Sequence, residues 1–391
     1  MNKVISTERI PIKLWLDYID EKTLSQAKNL ANLPFTFKHI AIMPDAHVGY
    51  GMPIGGVMAT QDVIIPHAVG VDIGCGVCAV KTSLTEIDKE VLKKIMGEIR
   101  MAIPAGFKKH KKKQDENLMP IVRNRGEELP QIVSQEYDNA LKSLGTLGGG
   151  NHFIDILKGD DGFVWIMIHS GSRNLGYKVA NHYNKLAIAL NEKLPNPIPR
   201  EWQLASLPVD SKEGQAYLEE MQFCVDFSLA NRKLMMDRTK KIFTNIFKEN
   251  INFGEMINIA HNYASLEKHF GRNVWIHRKG ATKATKDLIG IVPGSQGTKS
   301  YIVKGLGNPD SFMSCAHGAG RKMGRRQACR ELDFNKEVKK LEDQGILHSI
   351  RSHRNLDEAV GAYKPIDEVM ENQKDLVSIE VELTPLAVVQ E

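Results

Sequence analysis

The sequence predicts an α+β fold, a single mixed domain over residues 1–391 with central sheets and peripheral helices. Strand-like and helix-like stretches interleave, but without the regular alternation of a doubly wound sheet. No internal repeat and no Pro/Gly/Ser linker cuts the chain. At 42% hydrophobic and 25% charged content, 391 residues can bury a sizeable core.

Lys38–Met43 reads as a short strand ahead of the turn-rich run Pro44–Gly51. Val63–Pro66 and Val77–Lys81 read as buried strands flanking a glycine-rich turn. Over Thr85–Met101, residues Ile87, Val91, Leu92, Ile95 and Ile99 recur at helical spacing, with Thr85 as the N-cap. The run Lys108–Lys113 is either a solvated loop or a phosphate contact. A glycine-rich turn, Leu144–Asn151, precedes the strand Phe163–Ile168. Tyr217–Phe247 is a long helix whose methionines read as core packing. Strands at Val274–His277, Leu288–Val292 and Ser300–Val303 come next, then helices at Phe334–Gln344 and Ile366–Asn372, then a final strand, Val377–Leu383.

The formal net charge of +5 suits a polyanionic partner without establishing one. No run of roughly 18 apolar residues is present, so no membrane span is expected. The first residues, Met1–Arg9, carry no hydrophobic signal core. Five cysteines without regular spacing argue against a disulfide framework. The expected compartment is the reducing cytoplasm.

The chemistry concentrates in a few short stretches. Ser314–Arg326 contains His317, followed by small residues that let a ligand approach the backbone. Arg321 and Arg325 lie four apart, which on a helix would put two guanidiniums on one face. Imidazole is a competent nucleophile toward phosphorus. A lone histidine is more often a buried, hydrogen-bonded one, but this one has company. Gly70–Gly76 sets Asp72 three residues before Cys75, and Cys78 completes C-x-x-C. With no second such pair, a four-cysteine zinc site is not expected, while Asp72 and Cys75 remain a ligand pair if imidazoles arrive from elsewhere. His152, His169 and His261 each sit at the end of an expected element. Together the five could hold two metal ions bridged by sulfur, and softness alone favours Zn2+ or Co2+ over Mn2+. Pro293–Ser300 is a glycine/hydroxyl loop able to cradle phosphate, although its spacing is not that of a P-loop. Arg278 and Lys279 could add charge there.

In order, Asp45-Ala46-His47-x-Gly49, Gly70–Gly76, Gly150-Asn151-His152-Phe153, His169–Arg173, His261-Asn262-Tyr263, Pro293–Gly297 and His317–Arg321 resemble the RtcB family of RNA ligases, over nearly the whole chain. The resemblance implies that family's own mixed α+β fold. It also implies use of GTP and Mn2+ to join an RNA 3′-phosphate or 2′,3′-cyclic phosphate end to a 5′-hydroxyl end, in tRNA splicing or repair of nuclease-cut RNA. An accessory activator protein is a further implied partner. By the same resemblance His317 accepts GMP and Cys75 bridges two Mn2+ ions. Asp72 and His152 complete one ion, and His169 and His261 the other. The implied guanylate cradle is Asn151, His152, Phe153, Ile154 and Asp155, with Asn262, Pro293, Gly294, Ser295, Gln296, Ser300, His317, Gly318, Ala319, Gly320 and Gln390. Arg173, Arg321 and Arg325 are placed for phosphates of RNA or GTP.

Three positions depart from the family pattern. Asp155 stands where a glutamate is usual, Gln390 where a lysine is usual, and Tyr50 where the first motif commonly has lysine. That pattern suits a diverged paralogue. Two other readings compete with a ligase: a metal-dependent cyclic phosphate hydrolase, which needs the metals but not His317, and an RNA-binding or assembly protein with a relic site.

Overall fold

The computed structural model describes residues 1–121 and 129–391, and two sheets dominate it. The first has six strands in the order Lys3–Ile5, Ile12–Leu14, Thr36–His47, Ile54–Thr60, Arg272–Lys279, Asn262–His269. The second has seven, ordered Ile257–Ala260, Gly76–Lys81, Val164–Ser170, Phe153–Gly159, Val377–Val389, Ser300–Gly305, Ile289–Val292. Among the described residues, Ile12–Leu14 against Thr36–His47 is the one parallel pairing between strands; Ala105–Gly148 and Leu347–Ala387 are isolated parallel bridges. The expected mixed α+β class is what the chain forms. Among the described residues, no helix is long and apolar enough to cross a membrane.

Side chains alternate across each sheet, so each buries two faces. In the first, Ile40, Ile42 and Met58 pack with Leu30 and Ala27 of helix Glu21–Asn32. The opposite face sets Ala41, Met43, Val57 and Ile276 against Phe312 and Cys315. In the second, Val80, Ile156, Ile166 and Ile168 meet Leu92, Ile95, Met235 and Met236 from two helices. The long helix, Lys212–Phe247, thus uses its methionines as core. Each such side chain contributes roughly 1.5–3 kcal/mol on burial.

Several boundaries differ from the sequence reading for local reasons. The strand expected over Val63–Pro66 stops at Ile64, because Pro66 opens the short helix Pro66–Val69, where its missing N–H costs nothing. The first long helix is Lys89–Ala102, capped by Asp88, whose carboxylate accepts from the Glu90 N–H at 2.8 Å; Thr85 is not the cap. The last strand continues through a register shift between Pro385 and Ala387 to Val389. Pro385 interrupts the strand pattern, which is why the sequence reading ended too early. That extension carries Gln390 to the site.

One junction organises the rest. Ile257–Ala260 belongs to the second sheet and Asn262–His269 to the first, and His261 is the single residue between them. The functional residues gather where the two sheets meet.

Candidate functional site

Neighbouring strand ends of the second sheet deliver Cys75 and the three histidines to one place. His169 pairs across to Val77 on one side and Phe153 on the other, while Gly76 pairs with Ala260. Cys75, His152 and His261 each lie one residue outside those pairs. The Cys75 Sγ is 3.2 Å from His169 Nε2 and 3.5 Å from His152 Nε2. His152 Nε2 is 3.3 Å from Asp72 Oδ2, and the His261 ring centroid is 5.2 Å from that of His169.

The other ring nitrogens are taken. His152 Nδ1–H donates to the Leu147 carbonyl at 3.0 Å, and His169 Nδ1–H donates to the Asn151 carbonyl at 2.8 Å. These bonds fix the tautomer and turn each Nε2 lone pair toward the Cys75 sulfur. Cys75, His152 and His169 are all buried, with their ligand atoms within 4.8 Å of one another. Ligand bonds of about 2.0–2.3 Å put the corners of a coordination sphere some 3–4 Å apart, so this spacing fits a metal ion. Burial of this donor set, with lone pairs aimed at one another, is costly unless a cation sits among them. This buried group could therefore bind a metal ion.

The electrostatics agree. Burial, aided by Asp72, pushes the Cys75 thiol well above its usual range. Burial also drives His169 and His261 well below theirs, which keeps both imidazoles neutral and able to ligate. Burial alone would raise the Asp72 carboxyl, but its contacts with His152 and Cys75 and the nearby Arg173 guanidinium outweigh burial and hold it at about 2. Beneath lies Arg232, fully buried, donating to the carbonyls of Gly74 and Ser170 at 3.0 and 2.8 Å and to Asn258 at 2.7 Å. It ties together the backbone on either side of Cys75 and His169. Nothing in its helical sequence context announced that role.

His317 stands beside this cluster, its ring centroid 4.7 Å from that of His261. It follows the strand Ser314–Ala316, and its Nδ1 lies 2.6 Å from Asp45 Oδ2. Asp45 is fully buried and also accepts from the His317 backbone N–H at 3.1 Å. Gly320 has φ +71°, and a Cβ there would collide with the Asp45 carbonyl, so glycine is what lets this loop close on Asp45.

A cleft of about 1290 Å³ opens over these groups. Its walls include Asp72, Cys75, His169, His261, Asn262, Asn151, Phe153, Asp155, Pro293, Gly294, Ser295, Gln296, His317, Gly318, Ala319, Gly320 and Gln390. Tyr50, Lys279, Arg321 and Arg325 line it too. Ser300 stands behind the wall and accepts from the Gly294 N–H at 3.0 Å, shaping the loop. Both polar atoms of the Asn262 side chain are used internally, donating to the Asp72 carbonyl and accepting from the Gly280 N–H.

Other expected residues lie elsewhere. Ile154 points into the hydrophobic core of the second sheet. Arg173 sits behind the histidines, donating to Thr146 Oγ1 at 2.9 Å and the Gly106 carbonyl at 2.8 Å. Arg321 and Arg325 are not two prongs of one helix: the helix is Arg325–Glu331, and Arg321 precedes it on a loop paired with Tyr363. Both arginines turn to one buried carboxylate, Glu358, at 3.0 and 3.2 Å. Arg278 is fully buried and bound to Glu267 at 2.6 Å, so of these two residues Lys279 is the one that reaches the cleft. Burial lowers Lys279 to about 7. Cys78 is packed in the core, its thiol pushed up to about 12 by burial. Sequence reasoning assigned no role to Asp45, Arg232 or Glu358. For Asp45, its place in the first quoted motif was the available signal.

The sequence pattern of the family described as tRNA-splicing ligase RtcB matches residues 26–391. An RNA-splicing ligase RtcB of Escherichia coli strain K12 is 38% identical, over 96% of this chain and 96% of that protein. A tRNA-splicing ligase RtcB of Thermococcus kodakarensis is 32% identical, over 94% and 91%. One from Nanoarchaeum equitans is 34% identical, over 95% and 92%.

Proposed function

The chain belongs to the RtcB family and is an RNA ligase, and from that premise we propose that it joins RNA 3′-phosphate or 2′,3′-cyclic phosphate ends to 5′-hydroxyl ends, with GTP as co-substrate. Residues 1–391 act as one catalytic unit. Transfer RNA or nuclease-cut RNA is the substrate, the cytoplasm the compartment, and an accessory protein can assist.

The observation that carries the reading is the His317–Asp45 pair set against the Cys75 cluster. Asp45 accepts a hydrogen bond from Nδ1–H, which leaves the His317 Nε2 lone pair free as a nucleophile. That nitrogen attacks the α-phosphorus of GTP; an N–P bond forms and the bond to pyrophosphate breaks. The RNA 3′-phosphate oxygen then attacks the same phosphorus, and His317 is released. Finally the 5′-hydroxyl oxygen attacks the RNA phosphate, making the phosphodiester and expelling GMP. A cyclic phosphate is first opened by water.

Two Mn2+ ions are the cofactor of this reading, and Asp72, Cys75, His152, His169 and His261 would hold them. When bound they supply Lewis-acid stabilisation of phosphoryl oxygens. The guanylate rests among Asn151, Phe153, Asp155, Pro293–Gln296 and Gly318–Gly320, with Gln390 at its edge. Arg325, half exposed, would exchange its contacts with Glu358 and Asn151 for phosphate. A hydrolase that opens cyclic phosphates would not need an oriented nucleophile, so the Asp45 contact favours the ligase.

Incubation with labelled GTP and Mn2+ tests this. The wild type forms a covalent GMP adduct and seals RNA; His317→Ala keeps its metal but does neither. Opening of cyclic phosphate by the wild type without an adduct would establish the hydrolase.

A further inference from the structure

The lysine run beside the site has a partner residue that makes sense of it. Phe107 opens the stretch Phe107–Lys113 and is 98% exposed. A phenylalanine left fully in water is ordinary on a flexible segment that can fold it away, but this loop is held at both ends. The Gly106 N–H donates to the Gly148 carbonyl at 2.8 Å, and the Gly106 carbonyl accepts from Arg173 at 2.8 Å. Further along, the His110 N–H donates to the Lys142 carbonyl at 2.9 Å and the Gln114 N–H to the Leu141 carbonyl at 3.2 Å. Arg238 adds bonds to His110 and Gln114. The ring is therefore presented by a fixed backbone.

The residues that follow the ring in the chain are basic, while the Glu391 carboxylate lies on its other side, against Gly106. Lys108, Lys111 and Lys112 are exposed, and among the described residues none forms an ion pair. Lys113 differs, since it is bound to Asp138 at 2.7 Å. An uncovered aromatic face among unneutralised ammonium groups suits one kind of partner, a chain with alternating flat bases and phosphates. A protein partner would want apolar surface around the ring, and here there is charge.

The loop is also joined to the catalytic turn. Gly148, its backbone partner, belongs to the turn that ends in Asn151 and His152. Asn151 lines the cleft, and Arg173 reaches from beside His169 to Gly106.

We propose that Phe107 and Lys108, Lys111 and Lys112 form a platform for unpaired RNA at the rim of the site, the ring stacking on one base and the lysines meeting the adjoining phosphates. This rests on the RNA-ligase reading and adds to it a preference for single-stranded ends. The platform touches neither GTP nor His317, so it acts on RNA binding alone.

Binding of a short fluorescent single-stranded RNA with 5′-hydroxyl and 3′-phosphate ends tests this on the full-length protein without GTP. Phe107→Ala should weaken binding about tenfold, and Phe107→Leu nearly as much, while Phe107→Trp restores it. Changing Lys108, Lys111 and Lys112 together to alanine should lower the log–log salt slope by about 2, at roughly 0.7 per phosphate. Preference for single-stranded over duplex RNA should be lost in Phe107→Ala. GMP-adduct formation should stay at the wild-type rate in every variant, which separates this proposal from the ligase reading. Unchanged RNA affinity in both Phe107→Ala and the triple lysine variant overturns the platform and leaves another macromolecule as the loop's partner.

Discussion

His317 Nδ1 lies 2.6 Å from Asp45 Oδ2, and this contact decides which imidazole nitrogen faces the cleft. A carboxylate accepts only, so the proton sits on Nδ1 and Nε2 is left with the lone pair that the proposed reaction uses. Asp45→Asn can donate as well as accept and allows the opposite tautomer. We expect the rate of adduct formation to fall by about 10²- to 10⁴-fold, by analogy with losing the orienting aspartate of a catalytic triad. GTP affinity and metal content should stay close to wild type. A loss confined to GTP affinity, measured by equilibrium binding, would reassign Asp45 to the nucleotide.

Cys75→Ala should abolish metal occupancy, because the Sγ stands between His152 and His169 and no neighbour can replace it. Cys78→Ala should retain metal, losing only about 1–2 kcal/mol of stability from a small core cavity. Metal analysis of the purified variants decides; equal loss in both would return Cys78 to the ligand set.

The two arginines on Glu358 should behave differently. Arg321 is mostly buried and also donates to the Asp357 carbonyl, whereas the Arg325 side chain is half exposed. Removing Arg321 strips a buried carboxylate of its better-covered partner, and Arg321→Ala should cost about 3 kcal/mol in denaturant unfolding. Arg325→Ala should cost little stability while slowing the phosphate chemistry. Equal stability of the two variants would show that Arg321 is not structural.

Much of the site was legible because short, glycine-flanked stretches announce chemistry without needing the fold. Cys75 and the three histidines were found that way, and the strand ends bring all four together. Asp45 was harder: 272 residues separate it from His317, and only the strand Thr36–His47 running past Ser314–Ala316 joins them. Helix Glu21–Asn32 went unread because it buries Thr23, Ala27 and Ala31 beside a single leucine, Leu30, too weak an apolar stripe to show as periodicity. Arg321 and Arg325 were read as one helical face from spacing alone. Gly320 at positive φ and Gly324 ahead of the helix make the chain turn between them.

Glu220 gives the pH dependence of stability a sign. Its side chain is buried on the long helix, where Oε1 accepts from the Ile132 N–H at 3.0 Å and from the Tyr183 hydroxyl at 3.3 Å, while Oε2 has no hydrogen-bond partner. Burial raises its carboxyl from 4.5 to about 7. The folded protein therefore holds a proton that the unfolded chain releases, so its contribution is full below about 4.5 and is lost as pH rises through about 7. Glu220→Gln keeps the acceptor and removes the charge. Relative to wild type it should gain on the order of 3 kcal/mol between pH 4.5 and 8, read by denaturation at each pH. A difference that stays flat across that range would mean the carboxyl is ionised throughout.

Asp155 and Gln390 line the cleft where we propose the guanylate binds, and the structure gives each a specific handicap for that role. Asp155 is buried with Oδ1 unpaired, and burial pushes its carboxyl well above the usual range. Burial that disfavours the carboxylate form weakens the two-acceptor match to the paired N–H donors of guanine. Gln390 is already engaged: its Oε1 accepts from Gln296 at 2.7 Å and its Nε2 donates to the Gly150 carbonyl at 3.0 Å. Binding a base there requires breaking one of those bonds, and no positive charge compensates. Recognition by paired polar groups weakens when the pairs are incomplete. We therefore expect modest GTP affinity and measurable adduct formation with ATP. Asp155→Glu with Gln390→Lys should raise GTP affinity about tenfold and restore rejection of ATP, in line with one charge-assisted hydrogen bond. Labelled GTP and ATP adduct yields, compared across the two proteins, supply the check. If the wild type already excludes ATP and the double substitution leaves GTP binding unaltered, the base is read by other groups in the cleft.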